Sequence, residues 1–97
     1  MQSLFSPLRL GALTLPNRII MAPLTRCRAT PETFAANALM AEHYAARASA
    51  GLLIAEATVI SEEARGFPNT PGCYNAAQAA GWRLVTDAVH AAGGRIL

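Results

Sequence analysis

Arg18-Ile19-Ile20-Met21-Ala22-Pro23-Leu24-Thr25-Arg26-Cys27-Arg28 is an apolar run that breaks into a proline, a hydroxyl and two guanidinium groups. Residues 19–22 are short, apolar and partly β-branched, as a buried parallel strand requires, although a buried helical segment has the same periodicity. Pro23 decides for a strand ending there, because it brings no N–H to a ladder and biases Ala22 away from the helical region. In an α/β unit the polar residues after the first strand stand at its carboxyl end, where such folds hold ligands.

Working outward, residues 8–15 alternate on both sides of Gly11-Ala12, which predicts a short β-hairpin ahead of the first long strand. Its expected use is structural, to plug the amino-terminal mouth of a barrel. After the strand, residues 29–34 form a proline-marked loop too long for a minimal connection. A helix follows: Asn37 is its expected N-cap, Met40, Tyr44 and Ala48 fall on one face, Arg47 suits its carboxyl end and Gly51 closes it.

Residues 52–60 are the second buried run, interrupted by Glu56 and Thr58. An unpaired carboxylate there costs several kcal/mol, roughly, so Glu56 either opens toward a wet cavity or meets an arginine, and an arginine such as Arg26 or Arg28 is the expected partner. Residues 61–74 make another long loop. Asn75 with Gln78 predicts a capping box, and Trp82, Val85, Val89 and Ala92 continue as an apolar helical stripe ended by Gly93-Gly94. Arg95-Ile96-Leu97 reads as the opening of a third strand. The order is hairpin, β, α, β, α, β, with long loops after strands. That is the start of a (β/α)8 TIM barrel, of which 97 residues supply roughly a third, since a whole barrel takes about 250. Residues 1–97 are therefore expected to be the N-terminal portion of a single barrel domain.

Composition agrees with a piece of a larger core: 53% of the residues are hydrophobic and only 14% charged. A net charge of +2, carried by scattered arginines, does not suit a nucleic-acid surface. With no run as long as a membrane span and no secretory signal pattern, a cytoplasmic protein is expected, with no membrane partner. Cys27 and Cys73 have neither disulfide-framework nor metal-site spacing and read as free thiols.

The strand ends offer a ring-binding surface: backbone groups and an apolar wall at Pro23 and Leu24, a hydroxyl at Thr25, and a small side chain at Ala57. Ordinary turn residues have the same spacing. A wider pattern narrows the reading. Leu4-Phe5-Ser6-Pro7-Leu8, Asn17-Arg18, residues 21–28, Arg47-Ala48-Ser49-Ala50-Gly51-Leu52, Glu56-Ala57-Thr58, Gly81-Trp82 and residues 89–96 together resemble the Old Yellow Enzyme family, in order and across essentially the whole chain.

The resemblance implies an FMN-dependent ene-reductase on a (β/α)8 barrel, with NADH or NADPH as reductant and an activated alkene as substrate. It implies that Pro23 and Leu24 line the isoalloxazine, that Thr25 donates its hydroxyl toward the flavin O4 edge, and that Ala57 meets the flavin through its backbone. A branch of the family has cysteine where this chain has Thr25, so the chain sits nearer the yeast and enterobacterial branch. Phe67 matches a substrate-cavity position often held by tyrosine. The family's flavin glutamine, its substrate-holding histidine pair, its tyrosine proton donor and its phosphate arginines match nothing here. No catalytic residue is expected within residues 1–97, and no metal. His43 and His90 are expected as surface or capping residues on helices packed outside the barrel, and Trp82 in the core. Two other readings remain: a non-catalytic truncated fragment, and a flavin barrel related to dienoyl-CoA reductases.

Overall fold

A computed structural model describes residues 3–97. The chain runs β1 (Leu8–Leu10), β2 (Leu13–Leu15), β3 (Ile20–Met21), α1 (Ala38–Ala45), β4 (Leu52–Leu53), a single 3-10 turn (Glu62–Ala64) and α2 (Ala76–Ala91). β1 and β2 pair antiparallel with Leu8 opposite Leu15 and Leu10 opposite Leu13. Gly11 takes the left-handed φ of +59° that this tight reversal needs.

β3 and β4 pair in parallel, Ile20 with Leu52 and Met21 with Leu53, and Ile96 bridges Leu53 in parallel on the other side. Leu53 is thus the middle of three parallel segments, and its exposure is 0%. It shares one core with Met40, Tyr44 and Ala48 from the α1 region and Val85 and Val89 from α2, with Met21, Ala55, Trp82 and Ile96 packed at its margin. This core fixes where the strand ends emerge.

Local signals decided the helix starts. The Asn37 side chain accepts from Met40 N at 3.1 Å, and the Asn75 side chain from Gln78 N at 2.9 Å. The second half of the expected capping box is different: Gln78 Oε1 accepts from Tyr74 N at 3.0 Å, and Gln78 Nε2 donates to Thr33 O at 3.0 Å. At the far end of α2, Gly93 adopts φ +84°, with Gly93 N donating to His90 O and Gly94 N to Val89 O. That is a Schellman ending.

Three expectations are corrected. α1 stops at Ala45, six residues before Gly51, and turns carry the chain across. Gly51 is needed for packing instead: a Cβ there would lie 2.2 Å from Asn17 O. The second buried run forms a ladder only at Leu52–Leu53, and then proceeds extended with Ile54 N donating to Met21 O and Ala55 N to Leu97 O. Ala92 falls beyond α2 and is exposed.

Candidate functional site

The carboxyl ends of β3 and β4 leave the sheet side by side. The ladder pairs Ile20 with Leu52 and Met21 with Leu53, and residues 22–25 and 54–57 continue the two chains beyond it. Pro23 and Leu24 are exposed, Leu24 at 65%, and Thr25 is half-buried. Ala57 is exposed. Among the described residues, no backbone–backbone hydrogen bond engages residues 22–25 or Ala57. Free donors and acceptors, an exposed apolar side chain and a methyl-sized side chain therefore stand on neighbouring strand ends. This is the surface a flat ring with polar edges needs, so these residues fit a flavin.

Phe67, 62% exposed, stands on a separate loop. That loop is tied to the one following Arg28. Ala29 N donates to Asn69 O and Gly72 N to Phe34 O, and the Arg65 guanidinium lies 3.5 Å from the centre of the Phe34 ring. Gln78, 1% exposed, joins the same two loops through Thr33 and Tyr74. The structure thus links the Phe67 loop to the chain leaving β3.

Glu56 is 3% exposed, and its partner is not an arginine. Tyr44 Oη donates to Glu56 Oε2 at 2.6 Å and accepts from Glu56 N at 3.0 Å, while Glu56 Oε1 is buried without a hydrogen-bond partner. Burial and then the Glu56 hydrogen bond hold the Tyr44 hydroxyl far above the ordinary phenol range. Arg26, Arg28, His43 and Arg47 line a cavity of about 290 Å³ with Glu56. Instead of pairing with Glu56, Arg26 turns to His43, its Nη1 lying 2.7 and 2.8 Å from the two ring nitrogens. Arg47 Nη1 donates to His43 O at the end of α1.

His43, expected as a surface or capping residue, is half-buried in the last turn of α1, with its ring edge-on to Tyr44 at 5.2 Å. His90 is exposed, as expected, and Trp82 is half-buried at the core margin. The sequence did flag Glu56 as an anomaly, whereas its tyrosine partner carried no separate signal.

Burial, with the Arg26 and Arg47 charges, lowers the His43 pKa below its ordinary 6.5. The folded protein then holds this proton less tightly than the unfolded chain. Its stability contribution is full above pH 6.5 and is lost as the pH falls through the folded value. Thermal unfolding between pH 7.5 and 5.5 is expected to show a falling melting temperature, and His43→Gln is expected to flatten that slope. An unchanged slope would remove His43 from the account.

Residues 3–97 match the family described as NADH:flavin oxidoreductase / NADH oxidase. The chain belongs to that family. It is similar to the structure of morphinone reductase in complex with tetrahydroNAD, at 56% identity and a TM-score of 0.94, covering 99% of this chain and 26% of that one. It is similar to the old yellow enzyme homologue from Zymomonas mobilis, at 55% identity and a TM-score of 0.93, covering 99% of this chain and 27% of that one. A curated relative, the probable flavin mononucleotide-dependent alkene reductase of Leishmania infantum, is 46% identical over 96% of this chain and 25% of its own length. The chain thus spans about a quarter of the length of these NADH:flavin oxidoreductase relatives. Among the described residues, no group of three or more His, Cys, Asp or Glu could hold a metal ion, and no helix is long and apolar enough to cross a membrane.

Proposed function

We propose that the protein carrying this chain is an FMN-dependent NAD(P)H oxidoreductase that reduces activated alkenes. In this reading residues 1–97 are the N-terminal portion of one (β/α)8 barrel, with the β1–β2 hairpin across its amino-terminal mouth. The observation that carries it is the parallel pairing of β3 with β4, beyond whose carboxyl ends residues 23–25 and Ala57 make no backbone–backbone hydrogen bond among the described residues. The Leishmania relative, named for flavin mononucleotide and for alkene reduction, supports the cofactor and the reaction class.

FMN bound here supplies hydride transfer between a nicotinamide and an alkene. The chain's own residues bind and orient. Leu24 would give the ring face an apolar wall, Pro23 and Ala57 would let it approach the backbone, and Thr25 would donate a hydroxyl hydrogen bond to its carbonyl edge. A hydroxyl donor there would favour negative charge at that edge. Phe67 closes part of the substrate cavity by apolar contact alone. None of these residues is assigned a proton-transfer role.

The intact protein is expected to purify yellow, to release FMN on denaturation, and to be bleached by NADH or NADPH and recoloured by a cyclic enone. Thr25→Ala is expected to slow nicotinamide-driven bleaching about tenfold, the rate equivalent of a charge-assisted hydrogen bond of ~1.4 kcal/mol. A colourless protein that takes up no added FMN would overturn the reading.

A further inference from the structure

We propose that Tyr44 is a positioning residue for the flavin-facing strand end, acting through Glu56 on Ala57. The inference rests on the reading of Ala57 as a flavin contact. The backbone ladder ends just before this point. Ala55 N still donates to Leu97 O at 2.7 Å, but among the described residues Glu56, Ala57 and Thr58 make no backbone–backbone hydrogen bond.

Side chains take over at Glu56. Tyr44 Oη accepts from its N–H at 3.0 Å, and Thr58 Oγ1 donates to its carbonyl at 3.0 Å. The same Tyr44 hydroxyl donates to Glu56 Oε2 at 2.6 Å. Two bonds between one phenol and one residue set both the distance of that residue and its rotation, which a single contact would leave free. Tyr44 and Glu56 are 1% and 3% exposed, so water does not compete for these bonds.

Tyr44 can serve as the reference because it is itself fixed. It lies on α1 with its ring edge-on to His43 and 6.3 Å from Trp82, centre to centre. Ala57 follows one peptide unit after Glu56, so its free backbone groups are aimed by the clamp. A carboxylate with one oxygen buried and unpartnered is a costly way to pack a strand end. What the carboxylate adds here is the second fixed bond to Tyr44.

The test uses the intact protein with FMN as the probe. FMN affinity, the visible spectrum of bound FMN and the melting temperature are measured for the wild type, Tyr44→Phe, Thr58→Val and Val85→Ala. Val85, on α2 and 0% exposed, shares the core with Tyr44, but its side chain takes no part in the clamp's hydrogen bonds. Tyr44→Phe is expected to weaken FMN binding about tenfold and to shift the visible spectrum, and Thr58→Val to weaken binding about threefold. Val85→Ala is expected to lower the melting temperature while leaving FMN affinity and spectrum unchanged. The inference is overturned if Tyr44→Phe and Thr58→Val bind FMN as the wild type does. It is equally overturned if Val85→Ala weakens binding as much as Tyr44→Phe, since the effect would then be general stability. A wild type that takes up no FMN would overturn the proposed function instead.

Discussion

Gln78→Glu is expected to lower the unfolding free energy by about 3 kcal/mol at neutral pH. The side-chain amide of Gln78 works in both directions, accepting from Tyr74 N and donating to Thr33 O, each at 3.0 Å, at 1% exposure. A carboxylate keeps the first bond and turns the second into two opposed acceptors. The ionised form is therefore disfavoured, and the new group's pKa rises in the folded protein above the ordinary glutamate value of about 4.3. Raised in this way, it costs least below pH ~4.3, where the neutral acid donates to Thr33 O, and most once the pH has risen through the folded value. Denaturant unfolding of variant and wild type at pH 7 and pH 4 checks the difference. A deficit that does not shrink in acid would mean that the Thr33 contact contributes nothing. Because Gln78 joins the loops carrying Thr33 and Tyr74, faster proteolysis of residues 61–74 is expected with it.

Gly81→Ala is expected to destabilise by about 2 kcal/mol, against the direction of helix propensity. In an exposed helix the change would stabilise by roughly 0.5–1 kcal/mol. Here a Cβ would lie 2.4 Å from Ala36 O and 2.9 Å from Ala36 N, and backbone atoms cannot rotate aside. Either α2 or the loop before α1 has to move, and both line the shared core. Gly93→Ala separates packing from conformation: nothing lies within 4 Å of a Cβ there, and only the φ of +84° is unfavourable. That variant is expected to lose about 1 kcal/mol. Equal losses at positions 81 and 93, measured by chemical denaturation, would contradict the close approach of α2 to Ala36.

The helix starts were readable because a cap needs only its own turn. Asn37 and Asn75 each find a backbone N–H three residues on, whatever the rest of the chain does. Gly93 ended α2 for the same local reason. Strand extents were not readable in this way, since a ladder requires a partner at the right register. Residues 52–60 are apolar enough for one long strand, yet β4 pairs only over Leu52–Leu53 before the chain departs toward the loops. The reach of Gln78 to Thr33 was equally hidden, spanning 45 positions in sequence.

By itself the sequence determined that Pro23 ends a parallel strand and that two capped helices return the chain between strands, and it showed the resemblance of residues 21–28 to the flavin oxidoreductase family. The first two follow from dihedral restriction and local hydrogen bonding, which are short-range properties, and the resemblance from the order of motifs along the chain. Only the tertiary structure decided what surrounds Glu56. Burial in a core built by α1, β4 and α2 brings Tyr44 to the carboxylate and leaves Arg26 with His43. Which partner a buried charge meets depends on packing between distant segments, and spacing along the chain does not carry that information.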